Sequence, residues 1–162
     1  MAGTGTTKVV SGATLTISDA ANGKTLNRTL ENEGTVNWRH QQVTCNGGTV
    51  QNRPGALFDI DLSTDGSNRA WYANGGTNSF LNEGTVTKAG PQTATFEQSV
   101  GGSFTNAVGG LVQVSGGTLV LNWPGTNSGN METAGELRFG GNWTHEAASN
   151  LDGPGTVAFT ST

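Results

Sequence analysis

Three carboxylates, Asp59, Asp61 and Asp65, crowd the run from Gly55 to Gly66. Hard oxygen ligands at that density suit calcium, although their spacing departs from that of an EF-hand loop. Alternate residues of a strand stand about 6.5–7 Å apart on one face, which overlaps the carboxylate separation of inverting glycosidases. Asp59 and Asp61 therefore also read as a glycan-cleaving pair, but they lack a conspicuous surround of basic and His residues. The plainest reading is a solvated strand face that runs into an Asp-Gly turn. Phe58, Ile60 and Leu62 then point inward and both Asp outward, since burying unpaired carboxylates is costly. Aligning Gly55 with Gly34 gives the opposite alternation, so a bulge is expected near Leu57.

A second chemistry belongs to flat rings, which grip sugar faces by stacking and dispersion. Trp71 and Tyr72 lie between Asn68-Arg69 and Asn74-Gly75-Gly76, and Trp143 follows Gly140-Gly141-Asn142. These polar settings make the three the candidates for an exposed carbohydrate-binding patch. Trp38 and Trp123 each follow an apolar residue by two and are expected in the core or closing a corner. The remaining chemistry is thin. His40 and His145 lack ligands at metal-binding spacing, and Cys45 has no evident base beside it. No Ser sits in a Gly-x-Ser-x-Gly setting, and no Gly-rich stretch carries the Lys of a phosphate loop.

Such residues need a scaffold, and composition narrows it. Of 162 residues 26 are Gly, only 12% are charged and the net charge is −4. Four Pro and no three-residue Gly period exclude collagen. The negative balance lacks the basic footprint that nucleic acid or an anionic membrane would require. No apolar run is long enough to span a bilayer. A single Cys rules out an internal disulfide framework. The opening residues show no secretory signal, and strand patterning begins almost at once. The chain therefore reads as one domain, residues 1–162, cut from a longer exported protein.

Internal repetition decides the architecture. Leu30-Glu31-Asn32-Glu33-Gly34-Thr35-Val36 returns as Phe80-Leu81-Asn82-Glu83-Gly84-Thr85-Val86, with a looser copy at Phe104-Thr105-Asn106 and Gly110-Leu111-Val112. A shorter unit, Gly followed by a small or polar residue and then Val or Leu, begins at Gly34, Gly48, Gly55, Gly84, Gly117, Gly135 and Gly155. After it, apolar and polar residues alternate, as in Val36/Trp38, Leu119/Leu121, Leu137/Phe139 and Val157/Phe159. No helical period occurs. Short strands between Gly, Asn, Ser and Asp turns fit a sandwich or a solenoid. Copies stacked like on like would align Asn32, Asn82 and Asn106 into a hydrogen-bonded ladder, which a sandwich has no need of. Thr35, Thr49, Thr85, Thr118 and Thr156 would form an outer row, explained by β-propensity better than by ice binding.

These passages, with Ser115–Leu121, Ala134–Gly141 and Gly153–Phe159, resemble the strand repeats of large secreted bacterial surface proteins. The resemblance is to autotransporter passengers and adhesins, and it covers most of residues 9–160. It implies a right-handed parallel β-helix, export and surface display, and it carries over no catalytic residue. The expectation is an all-β, single right-handed parallel β-solenoid of about seven coils with irregular corner loops. Its function is expected to be structural or adhesive, extracellular and non-enzymatic, with neighbouring repeat modules as partners. The alternative is a carbohydrate-binding module of a polysaccharide-degrading enzyme that uses Trp71, Tyr72 and Trp143. A glycan-active hydrolase or lyase comes third. No cofactor is expected other than calcium at Asp59, Asp61 and Asp65.

Overall fold

Alternation of period two, broken every few residues by Gly or Asn, leaves the backbone short strands that must each find a partner from another turn of the chain. The computed structural model describes residues 1, 3–18, 21 and 23–160. It contains strands and no helix among them. The first coil holds β1 (Thr6–Val9) and β2 (Thr14–Ile17). The second holds β3 (Lys24–Leu26), β4 (Thr29–Asn32) and β5 (Thr35–Trp38). The third holds β6 (Val43–Cys45), β7 (Thr49–Asn52) and β8 (Leu57–Asp61). In the fourth and fifth, β9 (Arg69–Asn82) and β11 (Thr93–Asn106) each run across two faces, followed by β10 (Thr85–Ala89) and β12 (Leu111–Val114). The sixth has β13 (Thr118–Leu121), β14 (Gly125–Asn127) and β15 (Asn130–Thr133). The seventh has β16 (Glu136–Phe139), β17 (Trp143–His145) and β18 (Asn150–Asp152), and β19 (Thr156–Phe159) lies on the next level.

All pairings between these strands are parallel. Three faces result. Face A stacks β3, β6, the first half of β9, the first half of β11, β13, β16 and β19. Face B stacks β1, β4, β7, the second halves of β9 and β11, β14 and β17. Face C stacks β2, β5, β8, β10, β12, β15 and β18. The chain is a parallel β-solenoid of about seven turns.

Inward side chains from the three faces meet in one core. Trp38 of face C packs edge-on to Trp71 of face A at 5.5 Å, Phe58 to Phe80 at 5.0 Å, and Phe80 stacks on Phe104 at 4.9 Å. The ring pairs add directional attraction to the burial itself. Phe58, Ile60 and Leu62 are inward and Asp59 and Asp61 lie on the outer side, as the hydrophobic alternation requires. The Gly-started unit, however, opens strands on all three faces: Gly34 and Gly84 precede face C strands, Gly48 a face B strand, and Gly117, Gly135 and Gly155 face A strands. The five Thr of the expected outer row are accordingly divided among the faces. Phe159, expected in the core, is 66% exposed on the last level.

One corner explains the fifty-residue repeat. Between faces B and C the chain passes from the last inward residue of one strand to the residue before the next, and this passage alternates in length. Val9 to Ala13, Asn52 to Ala56, Asn106 to Gly110 and His145 to Ser149 are long, and each closes a turn, with Ala13 N donating to Val10 O, Ala56 N to Arg53 O, Gly110 N to Ala107 O and Ser149 N to Glu146 O. Asn32 to Gly34, Asn82 to Gly84 and Asn127 to Gly129 are short. The glycine of each short corner lies against both carbonyls of the turn in the preceding coil. A Cβ on Gly84 would stand 2.4 Å from Arg53 O and 2.5 Å from Ala56 O, and Gly34 and Gly129 are as tight. Only a residue without a side chain fits there. The residue stacked between Gly34 and Gly84 is Ala56, not Gly55, because the extra residues sit in the corner. β8 keeps its register without the expected bulge.

Candidate functional site

The most extensive polar array lies inside the coil, at the end of face B. Asn32 Nδ2 donates to Asn52 Oδ1, Asn52 to Asn82, Asn82 to Asn106 and Asn106 to Asn127, each at 2.8 Å. The same Nδ2 atoms reach carbonyls on face C of the following coil, Leu57 O, Thr85 O, Leu111 O and Asn130 O, at 2.9–3.0 Å. All five Asn are fully buried. Asn52, Asn82 and Asn106 thus meet their copies above and below, and each also ties the corner to the next strand, so burial leaves the interior donors matched. Asn127 Nδ2 ends the column 3.5 Å from His145 Nδ1. Asn32, Asn82 and Asn106 stand where the repeat places them. Asn52 and Asn127 are additional members.

Lys88 is a second buried polar residue that the sequence reading passed over. Alternation from Val86 turns it inward, between Ile60 and Val114 in its column. It is fully buried, and Nζ donates to Ala89 O at 2.6 Å, Gly90 O at 3.0 Å and Gly116 O at 3.3 Å. Burial lowers its pKa from the usual lysine value, partly opposed by the charge of Asp61. The folded state therefore disfavours the proton, and stability rises as pH climbs from that lowered value through 10.5. Lys88→Met is expected to destabilise the chain by about 1–3 kcal/mol at neutral pH, because it takes the donor from three carbonyls. The loss should grow towards pH 10.5, which urea titrations across pH would read.

The three acids are each engaged separately. Asp59 pairs with Arg39, whose Nη1 also donates to Asp59 O at 3.0 Å, and it accepts from the Thr87 hydroxyl. Asp61 Oδ1 accepts from Ser63 N at 2.9 Å, and hydrogen bonds from Ser63 lower its pKa. That is the opposite of the raised value a general acid needs. Asp65 is clamped by Arg69, with Nη2 to Oδ1 at 2.8 Å, and by Gln41 N at 3.1 Å, while His40 Nδ1 lies 3.6 Å away. Gln41 has a φ of 64°, an unusual conformation held in part by this carboxylate. Among the described residues no group of three or more His, Cys, Asp or Glu is placed to hold a metal ion.

Hydrogen bonds from Arg69 hold the Asp65 carboxyl down at about 2. Its contribution to stability is complete above the ordinary 3.8 and is lost as pH falls from there through about 2. Asp65→Asn should therefore melt below the parent at neutral pH, with the two converging towards pH 2. Calorimetric scans across that range check it.

The aromatic candidates do not share a surface. Trp71 is in β9, in register with Val43 and Phe96, and is 1% exposed, so its expected exposure is not found. The Gly and Asn around it mark the long face-crossing strand rather than a loop. Tyr72, the next residue, points outward between Thr44 and Glu97. Trp143 is half-buried on face B, packs against Phe139 at 4.9 Å and donates from Nε1 to Trp123 O at 2.9 Å. Trp38 and Trp123 are buried, and their Nε1 atoms donate to Gln41 O and Glu97 O. Burial pushes the Cys45 thiol up to about 12, which removes the thiolate a nucleophile would need. A shallow depression of about 260 Å³ lies on face A over Ala70, bordered by Gln42, Asn68, Arg69, Thr95 and Glu97.

No protein-family model, curated protein or solved structure matches this chain.

Proposed function

We propose that the chain is a structural module of a longer exported protein, displayed at a bacterial surface or secreted, where it spaces or adheres and performs no reaction. The observation that supports this reading is the use to which its polar residues are put. Five Asn amides serve the inter-coil ladder, and Arg39 and Arg69 occupy the carboxylates of Asp59 and Asp65. Residues that would have to change partner during a reaction are instead engaged in holding neighbouring coils. A rod built this way keeps its length under load and offers few unpaired backbone groups to a protease.

Carbohydrate binding is the second reading. It is favoured by Tyr72, which points outward beside the polar depression over Ala70. Titration calorimetry against a panel of soluble polysaccharides separates the two. The structural reading expects no saturable heat and resistance to proteolysis up to the melting transition. Saturable binding that Tyr72→Ala abolishes without changing the melting temperature would replace it with the carbohydrate reading.

A further inference from the structure

Asparagine before glycine is the pair in which the main chain most readily attacks a side-chain amide, because no Cβ on the second residue hinders the approach. Asn46 and Asn74 are each followed by Gly-Gly. The two stand level in coils three and four, where the chain passes from face A to face B, since Cys45 is in register with Ala73. Both asparagines are exposed, so neither local sequence nor exposure separates them. Asn22, which also precedes a glycine, lies outside the described residues.

Hydrogen bonding does separate them. At Asn46 the nitrogen that would attack is already engaged, because Gly47 N donates to Gly75 O at 3.0 Å, and reaction has to give up that bond. Gly75, Gly76 and Thr77, by contrast, have no ladder partner in coil three or coil five; pairing with β11 passes from Asn74 directly to Asn78. The side-chain carbonyl of Asn74 is also prepared. The Ser99 hydroxyl lies 3.3 Å from Asn74 Oδ1 and 3.4 Å from Ala73 O. Donated to Oδ1, its hydrogen sits where negative charge develops as a nitrogen adds to Cγ. The two Asp-Gly pairs are guarded in other ways. Arg69 clamps the Asp65 carboxylate while Gly66 N donates to Leu62 O at 2.9 Å, and Asp152, before Gly153, offers hydroxide rather than ammonia as its leaving group.

We infer that Asn74 is a self-modification site, at which the folded chain turns an amide into an aspartyl or isoaspartyl residue with water as the only co-reactant, and that the isoaspartyl product loosens the crossing between faces A and B. Gly75 N adds to Asn74 Cγ and closes a five-membered imide. The Cγ–Nδ2 bond breaks, and Nδ2 leaves as ammonia with the proton from Gly75 N. Water then opens the ring at either carbonyl, giving Asp or an isoaspartate whose main chain runs through Cβ and Cγ. Both products add one negative charge, and the second also lengthens the main chain by one carbon beside Gly75. That displacement reaches the next coil, because Gly75 O accepts from Gly47 N and, at 2.9 Å, from Asn78 Nδ2. The inference rests on main-chain chemistry and not on the role proposed above, so the polysaccharide titration and the following test fail independently.

Asn46 is the internal control. Incubation of the full chain at mildly alkaline pH, followed by peptide mapping in a mass spectrometer, reads both sites side by side. Unfolded in urea, the two should convert at similar rates, because both precede Gly-Gly. In the folded chain Asn74 should convert roughly tenfold faster than Asn46, the factor that one engaged hydrogen bond of ordinary net strength supplies. Ser99→Ala should slow Asn74 about threefold, a small part of what a buried oxyanion donor gives, and leave Asn46 unchanged. The isoaspartyl fraction, separated by ion exchange, should melt below Asn74→Asp, which carries the same charge on an unaltered main chain. Equal rates at the two sites in the folded chain, protection of both, an unchanged Asn74 rate in Ser99→Ala, or an isoaspartyl fraction that melts with Asn74→Asp would each overturn the inference.

Discussion

Asn82→Asp is expected to destabilise the chain by more than about 4 kcal/mol at neutral pH, enough to unfold a domain of ordinary stability. Asn82 sits mid-ladder and makes three buried bonds, accepting from Asn52 and donating to Asn106 Oδ1 and Leu111 O, each 2.8–3.0 Å long. The carboxylate keeps only the acceptor role. Two buried acceptors lose their donor, and a charge is placed in a dry interior where the two nearest groups are oxygens. Acidification should restore part of the loss, since a protonated carboxyl regains one donor. Asn127→Asp, next to the half-exposed His145 at the end of the column, should cost less. Denaturant titrations of both variants at neutral and acidic pH check the gradient along the ladder.

Trp71→Ala is expected to cost about 3–5 kcal/mol, the range for emptying a buried aromatic site. Its ring lies 5.5 Å from Trp38, 5.4 Å from Phe58 and 6.3 Å from Phe96, so it joins faces A and C over several coils. These neighbours are held by their own strands and cannot collapse into the space. Thermal denaturation measures the effect. A variant that melts like the parent would mean that the ring is not in the core, and would return Trp71 to the surface patch expected of it.

How far the sequence discloses this structure varies along the chain. Alternation suffices for Phe58, Ile60 and Leu62, because each step of a regular strand reverses the face. It suffices equally for Lys88, whose charge argues for the surface while its register with Val86 places it inside; burial is feasible because three carbonyls at the next corner receive the ammonium. Asn32 and Asn82 are recognisable because both stand two residues before a glycine in short corners. Asn52 escapes notice because its corner ends at Ala56 where those of Asn32, Asn82 and Asn106 end at a glycine, and Asn127 because Gly125 replaces the usual apolar residue before it. The misplacement of Trp71 has a different origin. Strands β9 and β11 cross from face A to face B through Gly-rich segments that resemble loops, yet remain paired to each other along most of their length. Pairing with a distant coil is not written in local composition.

The stacking of coils as one parallel column is tested most directly by the distance between spin labels at Thr14→Cys and Asn150→Cys. Both positions are exposed on the outer side of face C, and they are joined through Thr35, Leu57, Thr85, Leu111 and Asn130 in one register. Buried Cys45 is out of reach of the label. Six steps of about 4.8 Å place the two Cα atoms roughly 29 Å apart, in a single narrow distribution. A much shorter distance, as when the first and last strands fold back beside one another, or a broad distribution would contradict the solenoid and with it the ladder and the corner alternation.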